Sequence, residues 1–519
     1  MRSDAFPMPS RKRIVVYFQY APNGQADDAC LLMVSAICAE AARVIFVSNG
    51  PLTAAARAAV LHCGMESSRP EIVERENAGL DVGAYRQILL SLGREGLAPF
   101  DELILMNYTL AGPVHPLAEM FAAMDARPAL DFWGITRHYA MRTRRFKAPH
   151  GVLPEHLQSH FLAVRPRLFL SDDFWQYWQT MPLPRTYEES VAGHEARFTP
   201  WFGSKGYLWD SYVDTADLAS CFVNPIMGCP AELVFGRGCP VFKRRSFFTP
   251  YADELRRTAG EAAGELYRGL RRETEYPIDA LLRALLPGQP LTALTANLHG
   301  TLALTPAAPE NGQAAKPMAV HRVVWQNGAL PELPPWAPGR LVCLLRTQTP
   351  GDAASWYAAQ AAADFCGPLL AAAAACFAAD PALGLLSPAV PPFAALYEAR
   401  YVLWRRRLPA LRAAMAARKL TVPLENTVPL PFPFADCVLL RSDAFPHGLP
   451  PLDAPENWWL LPLIAQQNGY FSRSACRPEA LTDQAAVLEV QLLRQQQSGE
   501  MAKTLGRIAK HTLQRRLRK

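Results

Sequence analysis

The 519 residues are half apolar and 19% charged, with a net charge of +6, which fits two or three packed domains and by itself says little about partners. Eleven scattered cysteines without a C-x-x-C pair exclude a disulfide framework and point to reduced thiols in the cytosol. No window of eighteen apolar residues is free of charge or turn signals, so no membrane span is expected.

Arg11-Lys12-Arg13 leads straight into a strand-like run, Ile14 to Tyr20, and no signal peptide is expected ahead of it. Pro22-Asn23-Gly24 ends that run as a turn. Leu31, Leu32, Val34, Ile37 and Cys38 then fall at helical spacing within 28–42. Val44 to Val47 is a fully apolar strand that ends at Ser48-Asn49-Gly50, and 52–62 reads as helix. Glu71-Ile72-Val73-Glu74 is a strand that empties into Glu76 to Tyr85, and 85–93 reads as helix. Glu102 to Asn107 and Phe132 to Thr136 are two further strands. Short apolar strands alternating with helix-length segments predict an α/β fold, doubly wound around a mostly parallel sheet.

Three of these strand ends carry polar groups: Ser48-Asn49, Asn77 to Asp81, and Asn107-Tyr108-Thr109. In a parallel sheet such ends line one edge, where ligands bind. Gly79 and Gly83 permit positive φ and close backbone approach. Asp81 has two readings, a ligand contact or the N-cap of the following helix.

The ordered set VSNG, ENAGLDVGAYR, LILMN followed by Gly112-Pro113, DFWGIT, HLQSHFL and Lys243-Arg244-Arg245 resembles the rhamnan synthesis protein F family, from about residue 14 to Tyr276-Pro277-Ile278-Asp279. The resemblance implies a GT-A-like, Rossmann-like glycosyltransferase domain over 1–286, acting in bacterial surface polysaccharide assembly. It implies a nucleotide-sugar donor, dTDP-rhamnose, and a lipid-linked glycan acceptor, at the inner face of the cell membrane.

Such a transfer needs a nucleotide pocket, charge to stabilise the leaving diphosphate, and, for inversion, a carboxylate base. The resemblance places Ser48, Asn49, Asn77, Gly79, Asp81, Tyr85, Asn107 and Thr109 at the nucleotide sugar. His156 and Gln158, alternating along one strand-like run, are candidates for the acceptor or sugar pocket, and the His156–His160 pair has no third ligand for zinc. Where the family carries an acid for magnesium or manganese, this chain has Tyr108. Three outcomes stay open: no metal, another acid, or lost activity. Without metal, Lys243, Arg244 and Arg245 are the candidate phosphate clamp. Glu195 is the base by resemblance, with Glu188, Glu189 and Asp210 as competitors. Trp133, Trp175, Trp178 and Trp201 are candidates for stacking on sugar faces.

Residues 287–318 read as a linker. A second, smaller α/β domain is expected over 319–483, with strands at 339–345 and 382–388 and alanine-rich packed helices between them. It resembles the family's second part but departs from it at Phe434 to Cys437 and at Trp458-Trp459, which puts its catalysis in doubt. No duplication between the halves is legible. The tail, 484–519, reads as a basic amphipathic helix suited to an anionic membrane surface. No aromatic platform accompanies it, so nucleic acid is not expected. The leading reading is a glycosyltransferase; the alternatives are a non-catalytic transferase-like scaffold or a nucleotide-binding enzyme of another class.

Overall fold

Along the first half of the chain the strands that bear on the site are β1 (Arg13–Gln19), β2 (Arg43–Asn49), β3 (Glu71–Arg75), β4 (Glu102–Asn107), β5 (Leu110–Ala111), β6 (Phe132–Gly134), β7 (Arg137–His138), β8 (His156–Leu157), β9 (Phe161–Val164), β10 (Trp209–Ser211) and β11 (Phe242–Lys243); a further short pair joins Met141–Arg142 to Val152–Leu153. The helices that matter to the site are α1 (Asp28–Glu40), α2 (Ala54–Leu61), α3 (Leu80–Leu97), α4 (Leu117–Asp125), α5 (Asp172–Thr180) and α6 (Ala196–Gly203). The structure, a computed structural model, describes residues 11–143, 146, 151–249, 258–290, 300–306, 319–326, 330–333, 337–424, 433 and 435–487. They fall into two units divided between Ala284 and Leu285.

β1 is buried along its whole length, as a strand covered on both faces must be. Ile14, Val16 and Phe18 point into a core with α3, α5 and α6. Val15 and Tyr17 point the other way, into a core with α1 and α4. The sheet runs β10-β6-β9-β4-β1-β2-β3. β1 pairs in parallel with β2 and β4, β2 with β3, and β6 with β10. β9 alone is antiparallel, to β4 and β6. The first unit is therefore a mixed α/β fold with a mostly parallel sheet, as expected. The helix expected over 85–93 is longer, Leu80–Leu97. It starts inside the AGLDVG turn because Gly79 adopts a left-handed φ of 73° and caps it without any side chain.

In the second unit the strands are β12 (Thr301–Ala303), β13 (Val320–Gln326), β14 (Leu341–Thr347), β15 (Leu383–Pro388), β16 (Cys437–Arg441) and β17 (Phe471–Cys476). Helices α7 (Ala353–Cys366) and α8 (Leu370–Ala379) pack on this sheet. No single described helix is long and apolar enough to cross a membrane; α7 and α8 meet that test only as a pair bent by 63°. The sheet order is β12-β17-β15-β16-β14-β13. β13 is parallel to β14, β16 antiparallel to β14 and β15, and β17 parallel to β15. Taken in chain order, β13, β14, β15, β16 and β17 repeat the pairings and directions of β1, β4, β6, β9 and β10. Among the described residues, the second sheet has no counterpart of β2 and β3. Most of the expected linker, and the expected basic helix from residue 488 on, lie outside the described residues.

Candidate functional site

The six parallel strands of the first sheet end along one edge. β9, running the other way, begins there, so Gln158, Ser159 and His160 join the same edge. Loops at this edge receive polar groups from strands far apart in the chain, while the apolar strand bodies hold them rigid.

The loop after β3 is fastened from below. Asn49 is fully buried; its Oδ1 accepts from Arg75 Nη1 at 2.6 Å and its Nδ2 donates to Asn77 Oδ1 at 3.0 Å. Arg75 also donates to the Ala78 carbonyl at 2.9 Å. Ser48, buried, donates to the Gly50 carbonyl at 2.9 Å. Both residues were expected at the nucleotide; instead their polar atoms are spent on the turn, because a buried amide or hydroxyl must find a protein partner. Asn77 stays exposed at the loop surface, with Gly79 beside it. Leu80 follows Gly79 with a φ of 55°, an outlier for a bulky residue of the sort that clusters at ligand-holding turns. Gly83 is required on contact grounds: a Cβ there would lie 2.5 Å from the Ala78 carbonyl oxygen.

Asp81 therefore sits in the first turn of α3 and is not its cap. Its Oδ2 accepts from Asn107 Nδ2 at 2.7 Å, and its Oδ1 accepts the Val82 N–H at 2.9 Å. Asn107 Oδ1 in turn accepts from Thr109 Oγ1 at 2.5 Å, and Thr109 Oγ1 accepts from Lys243 Nζ at 3.1 Å. Lys243 is delivered by β11, which pairs antiparallel with β5 and sets Lys243 opposite Leu110. Burial lowers the Lys243 ammonium to about 8, although Glu195 and Asp81 pull it back up. Burial raises the Asp81 carboxyl, against the Asn107 and Val82 hydrogen bonds.

Glu195 closes a π-turn, Val191–Glu195, that runs into α6. Such turns carry one extra residue and recur at functional sites. Its Oε2 accepts from Ser159 N at 3.1 Å and Ser159 Oγ at 2.8 Å. Its Oε1 faces His156 Nε2 at 3.7 Å, an ion-pair separation rather than a hydrogen bond. Burial pushes the Glu195 carboxyl up, but His156, Lys243 and Ser159 together hold it well below the usual carboxylate range. His156 is fully buried, its Nδ1 lies 2.7 Å from the Pro154 carbonyl, and its ring stacks on His138 at 5.0 Å. Burial, and His156 after it, lower His138 to about 4.

Several expected contacts are corrected by their surroundings. Tyr85 is fully buried, edge-on to Phe18, and belongs to the core. Arg244 is buried and donates from both terminal nitrogens to the Asp27 carboxylate, at 2.5 and 2.8 Å, so its charge is already matched. Gln158 is buried; its Oε1 accepts from Thr136 Oγ1 at 2.8 Å and its Nε2 donates to Asn224 Oδ1 at 3.4 Å. Trp133 and Trp178 are fully buried and Trp175 nearly so, which removes them as sugar platforms. Asp210 is paired with Arg127 and Arg137, and Glu189 accepts the Arg185 N–H at 2.7 Å. An open cleft of about 660 Å³ lies toward the β10 end of the edge, lined by Arg137, Glu155, Trp209 and Asp210 among others; Asp81, Asn107 and Glu195 are outside it. Arg75, Ser159 and His138 were not anticipated. Their only signal was position: Arg75 at the end of a strand, Ser159 within the HLQSHFL run, and His138 two residues past the Phe132 to Thr136 strand.

A family model described as rhamnan synthesis protein F matches residues 44–326, more than half of the chain. An uncharacterised protein of Sinorhizobium fredii, y4gN, is 25% identical over 154 residues, 30% of this chain and 37% of that protein. The chain thus aligns with little more than a third of that relative's length. Among solved structures, core-mannan synthase A of Aspergillus fumigatus, in a manganese and GDP form, is 8% identical with a TM-score of 0.26, covering 38% of this chain and 72% of that one. Mouse xyloside xylosyltransferase 1 is 11% identical with a TM-score of 0.23, covering 38% and 84%. Likeness at these scores establishes neither donor nor reaction.

Proposed function

Because this chain belongs to the rhamnan synthesis protein F family, we propose that it is a glycosyltransferase that moves a sugar from a nucleoside-diphosphate donor onto a growing surface polysaccharide. The observation that carries this reading is the unbroken polar line Asp81–Asn107–Thr109–Lys243, with Glu195 in electrostatic reach of both of its ends. The donor diphosphate sits against the Lys243 ammonium, and Asp81 takes a sugar or ribose hydroxyl. The acceptor hydroxyl oxygen attacks the anomeric carbon, the carbon–phosphate oxygen bond breaks, and the hydroxyl proton passes to Glu195 Oε1. Negative charge leaves on the diphosphate, toward Lys243.

The finer assignment is dTDP-rhamnose as donor and a lipid-linked O-antigen or rhamnan chain as acceptor, at the cytoplasmic membrane face with the basic tail as the contact. Incubating the protein with dTDP-rhamnose, UDP-glucose and GDP-mannose over an extracted lipid-linked glycan tests this. Transfer from dTDP-rhamnose that is lost in Glu195→Gln supports it; transfer from none of the three removes it. A scaffold reading draws on the same Ser159 clamp, which holds Glu195 as it would hold a structural carboxylate. Nucleotide binding without turnover selects that reading.

A further inference from the structure

A departing diphosphate is stabilised either by a divalent cation or by fixed positive side chains. The oxygens of the two carboxylates at this site can be followed one by one. Both oxygens of Asp81 accept protein hydrogen bonds, from Val82 N–H and Asn107 Nδ2. Glu195 Oε2 accepts two from Ser159. Asp81 Oδ1 and Oδ2 each keep one lone pair beside these bonds, and Glu195 Oε1 faces a histidine. Magnesium and manganese ask for near-octahedral oxygen donors. Tyr108 turns its ring edge-on to Phe18, and burial raises its phenol so that it stays protonated. No trio of His, Cys, Asp or Glu among the described residues is arranged to hold a metal ion. A divalent cation on Asp81 or Glu195 would stand beside the Lys243 ammonium, which already acts on both carboxylates, and like charges so close oppose each other, so these residues do not suit one.

Lys243 fits the other solution. Its Nζ has three protons, and among the described residues only Thr109 Oγ1 takes one. The Glu195 and Asp81 carboxylates both act on Lys243 electrostatically. Arg245, two positions on and exposed, brings a second positive charge close enough to act on Lys243. We propose that the donor diphosphate is held and neutralised by Lys243, with no divalent cation in the donor complex. This rests on the transferase reading of the same site.

The test is the thermal midpoint of the full-length protein with dTDP and with UDP, in EDTA and in manganese, for the wild type, Lys243→Met and Lys243→Arg. Expected is a nucleotide-induced rise of equal size in EDTA and manganese. In Lys243→Met, nucleotide affinity falls about tenfold or more, as for loss of a charge-assisted hydrogen bond, while the ligand-free midpoint is no lower because a half-buried charge has gone. Lys243→Arg retains the response. A response that needs manganese, or one that survives Lys243→Met, overturns the proposal while leaving the transferase reading in place. No response to either nucleotide in either condition overturns both.

Discussion

Asn107 Nδ2 donates to Asp81 Oδ2 at 2.7 Å, joining the end of β4 to the first turn of α3 across 26 positions of chain. The bond fixes which way the Asp81 carboxylate points, and Asn107 Oδ1 passes the same alignment on to Thr109. Asn107→Ala removes both at once. Leaving a largely desolvated carboxylate oxygen unpaired costs about 1–3 kcal/mol. Expected are a destabilisation of that size in urea melts and a larger loss in donor affinity than Asp81→Asn causes, since Asp81→Asn keeps a hydrogen-bonding group in place. Equal melts for Asn107→Ala and wild type would show that the bond contributes nothing.

Gly83 lets the loop lie against α3. A methyl group at that position would meet the Ala78 carbonyl at 2.5 Å, a backbone atom that Arg75 also holds. Gly83→Ala therefore pushes the 76–80 loop away from the helix or unwinds its first turn. The expected cost is about 1–3 kcal/mol, as for overpacking at a buried contact, with donor affinity reduced as well. Gly93→Ala is the control: its Cβ meets nothing, so only the strain of its positive φ is felt.

Lys243, lowered by burial to about 8, sets a pH limit on donor capture. The ammonium is charged below that value and neutral above it. kcat/KM, which reports the free enzyme, is expected to fall as pH rises through about 8. kcat falls at higher pH, because bound diphosphate stabilises the charged form. Lys243→Arg removes the limb from the accessible range, since a guanidinium does not lose its proton there. A limb unmoved in Lys243→Arg would assign it to another group.

Much of the fold was legible because its strands carry short unbroken apolar runs between polar ends, as in β1, β2 and β4, with turn residues or helix-length segments between them. The start of α3 was not, because its cap is the backbone of Gly79 and leaves no side-chain signature. Arg244 looked like a phosphate contact because its partner, Asp27, lies 217 positions away in sequence. Ser48 and Asn49 were found at the right strand end but given the wrong neighbour; whether a strand-end amide faces a ligand or braces the next loop depends on Arg75 and Leu80, which only folding brings near. The repeat between the two sheets lives in which strands pair. Pairing leaves no residue pattern once the side chains have diverged, so β13 to β17 gave no sign of it.

His138 and His194 are both buried, and burial lowers each to about 4. In the unfolded chain each protonates near 6.5, while the folded protein resists protonation until about 4. The unfolded state thus binds more protons between those values, and stability falls as pH drops through that window. The loss is on the order of 3 kcal/mol for each group by pH 4. Urea midpoints measured from pH 7 to pH 4 should fall accordingly, and less steeply in His138→Gln.

His156 holds the other side of Glu195. The Pro154 carbonyl can only accept, so Nδ1 carries a proton, and the pairing of Nε2 with Glu195 Oε1 rests on a second proton at Nε2. At 3.7 Å this is an ion-pair contact rather than a hydrogen bond. His156 is among the influences that keep Glu195 ionised against its burial. In His156→Ala that support is gone and desolvation dominates, so the Glu195 carboxyl rises. The acid limb of kcat should then move to higher pH, with KM for the donor unchanged because His156 does not touch the Asp81–Lys243 line. His156→Gln, with an amide N–H in reach of Oε1, should restore the wild-type limb in part. A merely structural histidine would lower activity evenly at every pH, and neither variant would move the limb.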